Sequence, residues 1–185
     1  MVTLTLAFLI QSAAAGALAS RPPVPYVDHG ACPFECCQYG AWTPTEEVPV
    51  YASRSRDAKV LFRLRAGEQV TSLGGLVVTS RLGRARVLED VTFDDDHPPV
   101  TCRKGDLIYA LHYSGEGYEL LWFKGTVFNE QVAPDKIPPS SGFQTDELEW
   151  LELPTTTWWV QLKDSAGRVG WTDSPEFFDG SDGCE

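Results

Sequence analysis

The sequence predicts an all-β fold of the small barrel or sandwich type, and three observations support that class. Several short runs alternate apolar and polar residues with a period of two, which is the pattern of half-buried strands. Turn residues, above all glycine, separate these runs. Hydrophobic residues make up 43% of the chain and aromatic residues 11%, so enough apolar material is present for a packed core.

The clearest strand pair lies within residues 158–172. Apolar residues recur at period two on both sides of a predicted turn at 164–167, namely Trp158, Val160 and Leu162 before it and Val169 and Trp171 after it. Gly170 predicts a bulge or a close backbone approach on the return strand. Because consecutive residues of a strand point to opposite faces, Trp158 and Trp159 cannot share a face. One of these rings is expected in the core and the other exposed, unless an insertion covers it.

The remaining strands are predicted as short apolar or alternating runs that end at turn residues. In chain order they are 48–51, 60–64, 70–73, 76–80, 85–88, 107–113 and 118–128. Gly74 and Gly75 separate two of them. The segment 133–142 contains Pro134, Pro138 and Pro139 and predicts an excursion that no strand includes. Residues 146–153 favour one helical turn or a short strand.

The first residues of the chain predict an exported protein, and the remainder is predicted to divide into a leader, a β domain and a tail. Residues 1–19 form a short apolar run that ends in Ala17-Leu18-Ala19, which is typical of a secretory signal peptide, although no basic residue precedes the run. Residues 20–47 are predicted to be a Pro- and Cys-rich leader in extended conformation. The β domain is expected over 48–178 and a polar tail over 179–185. No membrane span is expected in the mature chain.

The five cysteines predict disulfides in an oxidising compartment. They are Cys32, Cys36, Cys37, Cys102 and Cys184. We expect disulfides to lock the leader onto the β domain, with Cys184 bonded to Cys36 or Cys37. The odd number leaves at least one thiol free or intermolecular.

The charge of the chain argues against polyanionic partners. With 26 acidic and 15 basic residues, the formal net charge is −11. Phosphate repulsion makes nucleic acid and anionic lipid surfaces poor partners for such a chain. Cationic partners remain open, and solubility is the simpler explanation of the acidity.

Two stretches together resemble the bacterial SH3-like (SH3b) family. Residues 48–70, with Val-Pro-Val-Tyr, a polar loop and Leu64-Arg-Ala-Gly-Glu-Gln-Val70, are similar to its first strand, loop and "Leu-x-x-Gly-Glu-x-Val" strand. Residues 159–171, with Trp-Val-Gln-Leu and Gly167-Arg-Val-Gly-Trp171, are similar to its closing "Trp-x-x-Val … Gly-x-x-Gly-Trp". In ordinary members these stretches lie much closer together. The resemblance implies either one SH3-like barrel with inserted β-hairpins at about 84–157, or two fused barrels, the second using 105–172.

Aromatic residues are the candidate ligand-binding residues, because flat amphipathic rings bind peptides or sugars at low entropic cost. The predicted set is Tyr51, Tyr113, Tyr118, Trp122, Trp158 and Trp159. We expect the site between the loop 53–58 and the face that carries Tyr51 and one of the two tryptophans. The competing interpretation places most of these rings in the core.

Catalytic and metal sites are not predicted. Asp94, Asp95, Asp96 and His97 fit a solvated acidic loop better than a cation site, because EF-hand spacing is absent. Cys32, Cys36 and Cys37 with His29 fit disulfides better than zinc or a thiolate nucleophile. His112 fits a hydrogen-bonded structural histidine. No cofactor is expected.

These observations, with the family resemblance, predict a non-catalytic SH3b-like binding module of the cell envelope, periplasmic or extracellular. Its expected ligand is a peptidoglycan peptide or another envelope protein. The alternative is a small secreted inhibitor or effector that acts through the 133–142 loop.

Overall fold

Nearly all the regular structure of this protein is β-sheet. The computed structural model describes residues 20–94, 97–132, 143–144 and 147–184, and there the only helix is a 3₁₀ turn at Pro175–Phe177. The strands are β1 (Tyr26–His29), β2 (Ala41–Pro44), β3 (Val48–Tyr51), β4 (Val60–Leu64), β5 (Val70–Arg81), β6 (Gly83–Val87), β7 (Val91–Phe93), β8 (Val100–Cys102), β9 (Leu107–Gly115), β10 (Tyr118–Phe123), β11 (Thr126–Glu130), β12 (Phe143–Gln144), β13 (Leu148–Glu152), β14 (Thr155–Lys163), β15 (Val169–Thr172) and β16 (Phe178–Asp179). The predicted all-β class is confirmed. The predicted signal, 1–19, and the excursion 133–142 lie outside the described residues.

Strands from both ends of the chain form the first sheet, which is curled like half of a barrel. Its order is β16-β2-β5-β14-β15-β3-β4, with β1 also paired to β5, and all pairings are antiparallel. The long strand β5 organises it, because β14 lies along one edge while β1 and β2 share the other. The sequence-adjacent strands β14 and β15 meet at a turn that Gly167 closes with a φ of 79°.

The concave side of the first sheet holds one core. The alternation of β3, β4 and β15 sends every second side chain inward, as period two requires. The buried residues are Trp42, Val48, Val50, Phe62, Leu64, Val70, Val160, Leu162 and Phe178. This core therefore joins strands that precede residue 82 to strands that follow residue 154.

The predicted break at Gly74 and Gly75 is wrong, because β5 runs through both residues. Gly74 has a φ of 139° and open space around it, whereas close packing explains Gly75. A Cβ on Gly75 would lie 2.6 Å from the Tyr39 hydroxyl and 2.7 Å from Trp158 Nε1. Any larger side chain would therefore displace the rings that cover this point of the strand.

The segment between the two halves of the first sheet forms a second sheet, ordered β11-β10-β9-β6-β13-β12. Its own core contains Ala85, Val87, Phe93, Val100, Cys102, Ile108, Ala110, Leu121, Phe123, Phe128, Val132, Leu148 and Trp150. The strand predicted over 118–128 is instead the hairpin of β10 and β11. Lys124 and Gly125, with φ of 47° and 93°, form its turn. Residues 148–152, predicted as helical turn or strand, are a strand.

One disulfide lies within the leader and one joins it, as predicted, to Cys184 of the tail, while strand pairing ties the leader to the β domain. Cys32 bonds to Cys37 and Cys36 bonds to Cys184. In addition, β1 and β2 of the predicted leader pair with β5, and the predicted tail begins inside β16. The disulfide prediction is wrong for Cys102, which is a free thiol fully buried in the second core.

Candidate binding face

The convex side of the first sheet presents a row of side chains drawn from three neighbouring strands. Trp171 of β15 lies opposite Gln161 of β14 on one side and opposite Tyr51 of β3 on the other. Residues directly opposite share a face, so these side chains point away from the core cluster of Val160 and its neighbours. We call this row, together with Trp159 and Val169, the outer face.

An aromatic pair forms the centre of the outer face. The rings of Tyr51 and Trp159 pack edge to face with their centroids 6.1 Å apart. Trp159 is buried, whereas Tyr51 and Trp171 are each partly exposed. Trp159 therefore supports Tyr51, and the rings available to a ligand are those of Tyr51 and Trp171.

The loop 52–59, between β3 and β4, brings arginines to this face. The Arg54 guanidinium carbon lies 5.5 Å from the centre of the Trp171 ring, within the range of a cation–π contact. Arg56 Nε donates to Asp173 Oδ2 at 2.5 Å, and the hydrogen bond and charge of Asp173 raise the pKa of Arg56 above its ordinary value. The Asp173 side chain is only 3% exposed, so it fixes the loop from beneath.

Backbone hydrogen bonds hold the loop in shape. Ala52 N donates to Lys59 O at 2.9 Å across the base of the loop, and Ala58 N donates to Ser55 O at 3.1 Å within it. The Ser55 hydroxyl also accepts a hydrogen bond from Asp57 N at 3.1 Å. Arg54 is therefore presented from a closed loop that is anchored at both strand ends.

The turn between β14 and β15 carries a second cation. Arg168 Nε donates to Asp164 Oδ2 at 2.6 Å, and its guanidinium lies 4.3 Å from the centre of the Phe62 ring. Burial alone would raise the pKa of Asp164, but the hydrogen bonds and charge of Arg168 outweigh it and lower that pKa. This ion pair stabilises the turn. Arg168 therefore already has a carboxylate partner within the protein.

The other predicted aromatic residues do not reach the outer face. Trp158 points to the opposite side, where its ring centroid lies 6.0 Å from that of Trp42 and its Nε1 donates to the Tyr39 hydroxyl at 3.2 Å. Trp122 is buried in the second sheet, with its ring centroid 5.7 Å from that of Tyr109. Of the six predicted residues, the structure brings Tyr51 and Trp159 together.

Tyr113 and Tyr118 lie at the hairpin between β9 and β10. The Tyr113 hydroxyl donates to Glu35 of the leader, and burial followed by this hydrogen bond raises the pKa of Tyr113. Tyr118 is paired with Gly115 at the same hairpin. Their position indicates docking of the leader onto the second sheet.

Sequence reasoning missed Trp171 and Arg54 as site residues. The period of two that placed Val169 and Trp171 on one side of the return strand was the available signal for Trp171. No local pattern marks Arg54, because its contact with Trp171 spans more than a hundred residues of chain.

Most of the described residues considered for metal or catalytic roles take part in disulfides or side-chain contacts. Among the described residues, one group of three potential metal ligands converges, Cys36, Asp182 and Cys184, and its two sulfur atoms form a disulfide. Cys32 and Cys37 are also bonded to each other. His97 Nε2 lies 3.2 Å from Glu130 Oε2, while Asp95 and Asp96 fall outside the described residues.

The chain matches no protein-family model, no curated protein and no solved structure. Its function is therefore inferred from the geometry of its own residues. The described part also contains no helix with the length and apolar character needed to cross a membrane.

Proposed function

We propose that this chain is an exported, non-catalytic binding module of the cell envelope, built on a barrel of the bacterial SH3-like type. Its ligand is a peptidoglycan peptide or a segment of another envelope protein. The observation that carries the proposal is the outer face, where the partly exposed rings of Tyr51 and Trp171 lie beside the Arg54 guanidinium. Such a surface offers apolar contact area and a fixed cation to an extended ligand.

The sheet connectivity supports the family resemblance. The stretch that begins at Val48 and the stretch that ends at Trp171 lie in one sheet and share one core, although a complete second sheet intervenes between them. Their contact is direct, since Tyr51 and Trp171 are register partners. This arrangement favours one barrel with an inserted sheet over two tandem barrels.

Export is supported by the cysteines. Two disulfides hold the leader, and disulfides persist in oxidising compartments. Together with the apolar run at 1–19 and its Ala-x-Ala end, they favour a periplasmic or extracellular protein.

Retention on purified cell wall tests the proposal. Tyr51→Ala and Trp171→Ala should each reduce the retained fraction severalfold, because each removes one accessible ring. Val127→Ala is the matched control, since Val127 is 42% exposed but lies on the second sheet. Near-ultraviolet circular dichroism and thermal unfolding confirm that each variant is folded. Retention of both ring variants at the level of the control would overturn the proposal.

A further inference from the structure

We infer that the ligand of the outer face is a short peptide with a free carboxylate, and that Arg54 binds this carboxylate. The inference rests on the proposed function and specifies the chemistry of its ligand. It is carried by the position of Arg54, by the pairing of its loop neighbour Arg56 with Asp173 and by the distribution of charge.

The position of Arg54 suits it to bind a carboxylate. Its guanidinium lies over the Trp171 indole, which restricts its orientation while leaving the N–H groups along its edge available. A guanidinium presents these donors as a planar fork that matches the two oxygens of a carboxylate. Because the indole already restricts the side chain, less conformational entropy is lost on binding.

Within the loop 52–59, Arg56 is paired with a carboxylate, whereas Arg54 contacts the Trp171 ring. Six arginines in the described part of the chain form ion pairs with carboxylates: Arg56, Arg63, Arg84, Arg86, Arg103 and Arg168. Arg54 is exposed and, within the same described ranges, its interaction is with Trp171. In a chain with 26 acidic residues, an arginine of the candidate site that is left without an acidic partner is available to an acidic ligand.

The acid that anchors the loop is already paired with Arg56. Asp173 lies beneath the loop, where Arg56 Nε contacts its Oδ2 at 2.5 Å and its side chain is only 3% exposed. Arg56 thus neutralises the buried charge and leaves the charge of Arg54 uncompensated at the surface. Apolar groups of the ligand next to its carboxylate would contact the rings of Tyr51 and Trp171.

The charge distribution favours a short ligand over a large acidic partner. Residues 53–59 contain three basic residues, Arg54, Arg56 and Lys59, against one acidic residue, Asp57, whereas the whole chain carries −11. An acidic protein surface would approach the rest of this negative chain and be repelled. A peptide confined to the loop meets the local positive charge, since screening limits these interactions to about 8 Å at physiological ionic strength.

The test uses a synthetic cell-wall stem peptide with free carboxylates and the same peptide with its carboxyl groups amidated. Isothermal titration calorimetry with the full mature chain should show binding of the free-acid form and at least tenfold weaker binding of the amidated form, as expected for loss of a charge-assisted hydrogen bond. Arg54→Gln should weaken binding of the free-acid form by a similar factor and abolish the discrimination between the two forms. Arg54→Lys should restore part of it.

Arg65→Gln is the matched control, because Arg65 is an exposed arginine in the turn before β5, outside the outer face. Equal binding of the two peptide forms, discrimination that persists in Arg54→Gln, or no binding of the free-acid form would each overturn the inference. Binding confined to an intact envelope protein would likewise overturn the choice of a short peptide. If wall retention still depends on Tyr51 and Trp171 in these cases, the proposed function stands and only its ligand chemistry fails.

Discussion

His112 Nε2 lies 2.8 Å from Asp28 Oδ2, which joins the second sheet to the leader strand β1. The other ring nitrogen, Nδ1, lies 2.6 Å from the carbonyl oxygen of Tyr113. A neutral imidazole has one N–H and can donate to one of these oxygens, whereas a protonated imidazole donates to both. The prediction of a hydrogen-bonded structural histidine at this position agrees with these contacts, since the ring is 2% exposed.

Replacing His112 by alanine should destabilise the protein by about 2–4 kcal/mol, because the change leaves a cavity and an unpaired Asp28 carboxylate. Urea unfolding at neutral pH measures the loss. His29→Ala is the control, since His29 is exposed at the end of the same leader strand and its removal should change stability by less than about 0.5 kcal/mol. Similar stability of the two variants would show that the His112 contact with Asp28 does not anchor the leader.

Glu119 should make the free energy of unfolding depend on pH. It is 5% exposed in β10, and burial raises its pKa to about 8. Between its ordinary pKa of 4.5 and about 8, the folded protein holds a proton that the unfolded chain has released. The free energy of unfolding should therefore fall as pH rises through this window, by at most about 1.4 kcal/mol per pH unit.

Glu119→Gln should remove this dependence. The variant should match the wild type near pH 4 and become progressively more stable than it up to about pH 8, where the difference should level off. Denaturant titrations at one-unit pH intervals provide the measurement. Glu68→Gln, at an exposed position, is the control that should follow the wild type. Parallel pH profiles for wild type and Glu119→Gln would contradict the assignment.

The two disulfides should contribute unequally. Cys36 and Cys184 are 148 residues apart in sequence, whereas Cys32 and Cys37 are 5 apart. The chain-entropy argument gives about 5 kcal/mol for the long loop and about 2 kcal/mol for the short one. Cys36→Ser with Cys184→Ser should therefore lower the unfolding midpoint more than Cys32→Ser with Cys37→Ser. An equal loss, or a reversed order, would mean that the long-range disulfide is not formed in the folded protein.

Cys102 should be unreactive in the native state. Its side chain is fully buried, and burial raises the pKa of the thiol to about 11, so the reactive thiolate is scarce at neutral pH. Ellman's reagent should detect no thiol in the native protein and one per chain in denaturant without reductant. Cys102→Ala should give none in either condition. Rapid labelling of the native protein would show that the second core opens readily.

The local sequence pattern was sufficient to predict strands and turns that are neighbours in sequence. The alternation across β14 and β15 and the turn at Gly167 could be predicted, because the side-chain period of a strand is set by its own backbone. The same argument fails at Gly74 and Gly75. A glycine pair is compatible with a turn and with a continuous strand, and only the rings of Tyr39 and Trp158 packed on Gly75 show that this one lies within β5.

Sequence patterns predicted only part of the candidate site, because the pairing of distant strands decides which residues share a face. Tyr51 and the loop 53–58 were placed near a tryptophan, and the structure brings Tyr51 to Trp159 and Trp171. Four other aromatic residues could not be excluded from the site by composition, namely Trp158, Trp122, Tyr113 and Tyr118. Which face an aromatic residue occupies depends on which strands cover it, and that is a property of the sheet pairing.

The amino-acid sequence by itself determined the β class, the positions of most turns and the alternation of side chains along each strand, because these follow from backbone geometry over a few residues. Only the tertiary structure decided that Tyr51 lies opposite Trp171, that the Arg54 guanidinium lies 5.5 Å from the Trp171 ring centre and that His112 contacts Asp28. Those contacts join residues 84 to 120 positions apart in sequence, and long-range register of this kind is selected by the burial of whole sheets and not by any local pattern.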